Sequence, residues 1–472
     1  MGPSATEAEA NRAFEYASAR SILLNREAYV FGDDGSDAPS LAWPIFIASA
    51  YFVAGAVTMS AMPLFVNSLI NEDGSEAATA AGVDLKATLD CIELLLTFAL
   101  VPLWGIVSDR VGRKPLQLFA FAGYFLSCGL AAMFGLVPLL IVGRVLDGVT
   151  ACMLPICQAS VRDISSPAFL ARNVGVLQGA TAGASLLVGG LVGLVLTSIE
   201  EPRANLAVAS IFAACAGLVI FFCAPETLHY ARRAPRVAWR RASPVSSVRR
   251  LGATPTTFGP SCAYVFFWLG LNALQVSMSN YCALRYQWKP QIALVLQACA
   301  VLVIALSNVL GPWLLEPRVG ENNVVRIGLV GFAASLVGMG LSSCSAGFVS
   351  SVLVSSVATM CLPSLTAMIA REAHKDETGA TLCALDQMLV LDQLLAYKAM
   401  NSIFAWGIVT GRVGAHFYTG AICVGLGWVA FEAALLHARG HASTPGPMKT
   451  ATYATACRRR RRRRPCRDSR CV

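Results

Sequence analysis

The sequence predicts an all-α polytopic membrane protein of twelve transmembrane helices in two groups of six. Composition is the first observation. Of 472 residues, 56% are hydrophobic and only 14% are charged, against about a quarter charged in soluble chains. So little charge cannot cover a water-facing surface, and the apolar excess must face a bilayer. Twelve continuous apolar runs are the second observation, most of them at least about 20 residues long, enough to cross the hydrocarbon core as helices. They lack the dyad alternation of membrane strands. The third is an arginine-rich, acid-free stretch between the sixth run and the seventh.

Taken in order, residues 1–41 are polar and mixed in charge, with no basic region followed by an apolar core as in a cleavable signal peptide. They are expected to form a cytoplasmic tail. The runs follow at 43–67, 87–108, 115–135, 137–159, 173–198 and 205–224, an N-terminal six-helix bundle over 42–227. Residues 228–258 hold Arg232, Arg233, Arg236, Arg240, Arg241, Arg249 and Arg250, and read as a basic cytoplasmic linker. The second bundle, 259–438, has runs at 259–281, 291–315, 327–343, 346–369, 380–408 and 414–437. Residues 439–472, with Arg458–Arg464 consecutive, read as a disordered tail; attraction to anionic lipid is its functional alternative.

Lysine and arginine set the orientation. With the N-terminus inside, the inner segments hold 30 of these residues and the outer loops 5; without the C-terminal tail the inner number is 19. Both termini are then cytoplasmic, in a plasma membrane or an endomembrane. The net charge of +9 has no soluble basic face to present to nucleic acid. Of 16 cysteines, all but Cys457, Cys466 and Cys471 sit in or beside apolar runs, without CxxC or Cys/His spacing. They read as small buried hydrophobes, with no metal or cofactor expected.

Between runs two and three stands Gly105-Ile-Val-Ser-Asp109-Arg110-Val-Gly112-Arg113-Lys114. Glycine permits close helix approach and positive φ. Asp109 can accept from helix-end amides, and Arg113 can clamp a carboxylate. This segment resembles the signature loop of the major facilitator superfamily, Gly-xxx-Asp-Arg-x-Gly-Arg-Lys/Arg. Other matches fall in register. Gly143-Arg144-Val-Leu-Asp147-Gly148 resembles the family's intramembrane Arg-xxx-Gly segment. Arg162-Asp163-Ile164-Ser165 resembles its acidic partner site, and Pro225-Glu226-Thr227 its Pro-Glu-Ser/Thr. Gly179, Gly183, Gly189 and Gly190 resemble the antiporter glycine motif, although Ser185-Leu186 stand where that motif carries Gly-Pro. The set is most similar to the tetracycline-resistance and hippocampus-abundant-transcript branches, over about residues 42–438. The resemblance implies the 6+6 fold of that superfamily and a gate formed by Asp109, Arg113 and Asp163. A degenerate second copy of the signature lies at Gly311–Gly320.

Polar residues inside a bilayer usually face the bundle interior. At 3.6 residues per turn, Asp90, Glu93 and Thr97 share a face of run two, and Arg144, Asp147 and Gln158 a face of run four. Gln178 lies on run five. Tyr264, Trp268, Asn272 and Gln275 form a stripe on run seven. In run eleven Asp386, Gln387, Gln393, Tyr397, Lys398 and Asn401 share a sector, with Asp392 outside it. These faces are expected to converge on a substrate cavity. Each has a structural alternative: Arg144 and Asp147 can simply neutralise each other, Asp90 and Glu93 can sit at the outer interface, Asp386 can lie in an entry turn, and Tyr264 and Trp268 can be packing residues.

The expected function is secondary transport of a small organic solute by alternating access, by a monomer in the bilayer. Proton-coupled, drug-like efflux is the leading expectation, with Asp147, then Asp386 and Glu93, as coupling carboxylates. Uptake of a sugar, folate or organic anion, uncoupled facilitation, or a non-transporting receptor or scaffold are the alternatives. No nucleophile–base pair, metal spacing or phosphate loop suggests an enzyme.

Overall fold

The computed structural model describes residues 39–59, 61–70, 76–199, 202–235, 243–374 and 377–442. The expectations for the N-terminal tail, the Arg458–Arg464 run and residues 236–242 of the linker lie outside the described residues. Every regular element among the described residues is helical. The first half crosses as Ala42–Met59, Asp84–Val111, Arg113–Phe134, Val137–Ile164, Leu170–Leu196 and Pro202–Cys223. The second crosses as Pro255–Tyr286, Ile292–Val319, Glu321–Leu341, Ser345–Glu372, Thr378–Val409 and Ala415–Ala438.

Three spans differ from the run pattern. The first ends at Met59, and Ala61–Ile70 forms a separate short helix. The second starts earlier, within one helix from Glu76 to Val111, because alanines and charged residues continue the helix beyond the apolar run. The seventh bends by 53° between Pro255–Gln275 and Asn280–Tyr286.

Local chemistry explains the ends and the breaks. Thr254 and Thr257 make a reciprocal capping box ahead of the seventh span, with Pro255 as its first residue. Gly135, at φ 59°, closes the third span and frees its backbone N–H for Ala131. The fourth span breaks between Thr150 and Met153, and the tenth between Ala358 and Cys361. Pro155 and Pro363 follow those breaks at equivalent positions. A helical proline clashes with the carbonyl four residues back, here that of Ala151 and of Thr359, which lie within the two breaks.

Each half has its own apolar core. Phe65, Phe121, Ile156 and Leu206 anchor the first; Phe267, Phe332, Phe348 and Phe417 anchor the second, where the rings of Phe267 and Phe332 stack at 4.2 Å. The first core also takes in Ala367, Ala370, Leu382 and Cys383 from the second half, so apolar side chains of the two halves pack together. The fifth span lies tight against the eighth. A Cβ on Gly175 would stand 2.2 Å from the Asn308 carbonyl oxygen, the kind of approach small residues permit. Outward, Phe222, Leu194, Ile211 and Ile422 present apolar side chains where lipid belongs.

Candidate functional site: a sealed loop and a polar cavity

Two polar assemblies lie toward opposite ends of the molecule. Glu93 and Asp109 share the second span, about 24 Å apart at 1.5 Å rise per residue.

At the Asp109 end the signature loop is sealed. Arg113 is 1% exposed and Asp109 3%. Arg113 donates from Nε to Asp163 Oδ2 at 2.8 Å, and from one terminal nitrogen to Asp109 Oδ1 at 2.8 Å and Ser108 Oγ at 2.7 Å. Asp109 in turn accepts from the backbone N–H groups of Gly379 at 2.8 Å and Ala380 at 2.9 Å. Those residues begin the eleventh span, so a carboxylate of the first half caps a helix of the second, where free amides and the helix dipole favour negative charge. Gly105 makes the approach possible: its Cβ would meet the Gly379 carbonyl and the Cys383 Cβ, each at 2.8 Å. Around the knot, Arg162 donates to the Ala370 carbonyl at 3.2 Å, and Arg250 pairs with Glu377 at 3.5 Å. Arg110 is exposed, and Lys114 donates to the Phe221 carbonyl at 2.8 Å.

Glu226 is the functional-looking residue that sequence reasoning left as a motif match only. Its carboxylate accepts from the N–H groups of Arg113 at 2.8 Å, Lys114 at 3.1 Å and Leu228 at 3.0 Å. It thereby caps the third span and packs under Gly112, whose φ of 122° and lack of a Cβ the contact requires. A lone carboxylate just past the sixth span was the available signal.

The degenerate second copy keeps the geometry and reverses the charges. Gly320 stands in the place of Gly112, again with positive φ. Glu321 and Arg371 stand in the places of Arg113 and Asp163, and they bond directly. Pro317 occupies the place of Asp109, so that position offers no carboxylate to the fifth span. Arg172 of that span instead lies over the Trp313 ring, 5.3 Å from its centroid.

At the other end a cavity of about 730 Å³ opens between the first, second, third, fourth and eleventh spans. Asp90, Glu93, Arg144, Asp147 and Gln393 line it, with Lys86, Tyr124 and Thr58. Arg144 donates to Glu93 at 2.6 Å, while Asp147 lies at 3.9 Å. The arginine's main partner is therefore Glu93 on the neighbouring span, not the Asp147 one turn away on its own. Lys86 pairs with Asp90 at 2.5 Å. Tyr124 donates to the Ala54 carbonyl at 3.2 Å and shares a 2.9 Å bond with Thr58. Three carboxylates thus face two cations, and Asp147 is the one held least closely.

The other expected residues lie elsewhere. Asp386 and Gln178 are half-buried on spans eleven and five. Tyr264 is buried in the second core, with its ring 6.4 Å from Trp268. Asn272 donates to Asp392 at 2.9 Å, so the carboxylate left outside the polar sector has a polar partner on a neighbouring span. Gln275 borders a narrow space with Gln297, Ser355 and Thr359. The side chain of Tyr397 lies outside the described residues.

The model of the Major Facilitator Superfamily matches residues 45–390. Tetracycline resistance protein, class C, of Escherichia coli is 26% identical over 375 residues, 77% of this chain and 90% of that protein. Hippocampus abundant transcript-like protein 1 of Homo sapiens is 25% identical over 303 residues, 62% of this chain and 58% of that protein. The crystal structure of the human organic anion transporter MFSD10 (TETRAN) superposes with a TM-score of 0.70 at 19% identity, covering 83% of this chain and all of that one. With the family's matched residues spanning most of both halves, and twelve spans folded as its solved members are, the chain belongs to the Major Facilitator Superfamily and is a multi-pass membrane transporter rather than an enzyme.

Proposed function

We propose that this transporter exports a small organic solute in exchange for protons, rocking its halves, residues 42–227 and 259–438, about the cavity. The loop face is cytoplasmic on the lysine and arginine balance, which puts both tails and the 228–258 linker inside and makes the conformation outward-open. The observation that carries the reading is the imbalance of charge in the cavity: Asp90, Glu93 and Asp147 against Lys86 and Arg144. A proton on Asp147 neutralises the set; its release leaves one negative charge beside Arg144. Any motion of the second span relative to the fourth changes how Arg144 is divided between Glu93 and Asp147, and so the affinity of Asp147 for its proton. Asp109, Arg113 and Asp163 act as the cytoplasmic gate, holding the eleventh span against the second until the halves rock. Gln393 and the cavity wall at Tyr124 contact the solute. The similarity to the tetracycline resistance protein favours efflux of a drug-like molecule over nutrient uptake.

The experiment is transport by the purified chain in vesicles with an imposed pH gradient, starting with tetracycline and with organic anions as probes. Asp147→Asn is expected to cut pH-driven accumulation and to keep solute exchange. Undiminished pH-driven accumulation in that variant would remove Asp147 from the coupling role.

A further inference from the structure

Asp392 is a carboxylate within the membrane span that the cavity does not use. It lies midway along the eleventh span, Thr378–Val409, and is 6% exposed. Its one hydrogen-bond donor among the described residues is the Asn272 amide of the seventh span, at 2.9 Å. From the twelfth span the titratable neighbour is Cys423. The acids of the second span, Asp90 and Glu93, face the cavity beside Gln393. On its own helix Asp386 lies nearly two turns away, and Lys398 is exposed. No lysine or arginine among the described residues forms an ion pair with Asp392.

An ionised carboxylate inside a bilayer protein, with one neutral donor and no cation, is strongly disfavoured. The neutral acid suits the same pocket, because it needs no counter-charge. The partner amide is placed where motion can be felt: the 53° bend of the seventh span begins beyond Gln275, less than one turn past Asn272. We propose that Asp392 binds a transported proton of its own, in the second half, and that its bond to Asn272 ties this proton to the bend of the seventh span. While the pair is dry the O–H bond of the acid stays intact. When the Asn280–Tyr286 segment swings and water enters, the acid passes its proton to water and the carboxylate is hydrated; closing reverses the transfer.

This rests on the proton coupling proposed above but assigns a different residue, so the two are tested apart. Infrared difference spectra of the full chain in vesicles are recorded across a pH titration. A protonated-carboxyl band is expected that Asp392→Asn removes and Asp147→Asn leaves in place. Asn272→Ala should shift that band, because the acid loses its partner, and it carries the test if Asp392→Asn does not fold. The proton count per solute, measured from the gradient that balances transport, should fall by one in Asp392→Asn. A band unchanged in both variants, a band that never titrates, or an unaltered proton count in folded Asp392→Asn overturns the proposal. Loss of a proton in Asp392→Asn but not in Asp147→Asn would instead leave it standing and displace Asp147.

Discussion

Replacing Asp109 by asparagine isolates the contact that seals the loop face. The carboxylate accepts from Gly379, Ala380 and Arg113 at 2.8, 2.9 and 2.8 Å. In Asp109→Asn, Arg113 keeps its bonds to Asp163 and Ser108 within the first half. The amide offers one acceptor oxygen and turns its NH₂ toward the remaining donors. Hydrogen bonds to a charged group contribute about 1.5–3 kcal/mol each, and the favourable charge at the start of the eleventh span adds up to about 2 kcal/mol. Allowing for the bond that the amide keeps, the seal weakens by about 3 kcal/mol, roughly a hundredfold in the ratio of closed to open. A native reporter lies behind it: Cys383 is fully buried, packed under Gly105. With the exposed cysteines replaced, maleimide reaches Cys383 only through loop-face opening. Its labelling rate follows the open population when reclosing outpaces labelling. The rate should rise on the order of a hundredfold in Asp109→Asn. A folded variant that labels Cys383 at the wild-type rate would show that the loop does not hold the halves together.

Gly105→Ala should open the same seam without changing charge, since its Cβ meets backbone of the eleventh span at 2.8 and 2.9 Å; faster Cys383 labelling is the measurement. Gly175→Ala, whose Cβ would meet the Asn308 carbonyl at 2.2 Å, should separate the fifth and eighth spans and lower thermal stability, whereas Gly425→Ala, which meets nothing within 4 Å, should not. Glu93→Gln should lower the melting temperature more than Asp90→Asn, because the side chains of Arg144 and Glu93, 15% and 29% exposed, are less open to water than those of Lys86 and Asp90, 32% and 41% exposed, and an exposed pair contributes about 1 kcal/mol at most. A cysteine at Val245, which is 79% exposed, should resist an impermeant reagent in intact cells and react after permeabilisation; labelling without permeabilisation reverses the orientation.

The fold was legible because a bilayer enforces long apolar helices, and such helices announce themselves in sequence. What blurred were the places where helix and apolar run are different things. The second span continues as helix through Lys86 and Asp84, and the first stops at Met59 although apolar residues go on. The pairing of Arg113 with Asp163 was readable from the family pattern, and the structure gives it a distance. The capping of Gly379 and Ala380 was not, because backbone amides carry no residue-type signal. Helical angles put Asp392 off the polar sector of the eleventh span, yet a neighbouring helix supplies Asn272 on that side. Angular sectors describe one helix at a time, and partnership is a property of two. The same limit made Arg144 look paired with Asp147, its neighbour along the chain, when Glu93 on another span stands closer.

The seal at Asp109 also dictates a timetable for synthesis. Arg113 meets Asp163 50 residues later and Glu226 113 residues later, all before the second half exists. The amides that Asp109 caps come 270 and 271 residues after it. At about 5–20 residues per second a ribosome needs roughly 15–55 s to reach them. Through that interval the newborn first half must sit in the membrane with one oxygen of Asp109 unclaimed. It can do so because the residue lies at the mouth of the bundle, where water serves as a temporary partner. An ionised carboxylate in the hydrocarbon could not wait so long. Deeper in the same seam the order is reversed: the early residue offers only the carbonyl of Phe98, and the late one, Gln387, brings the side chain that bonds to it at 2.8 Å.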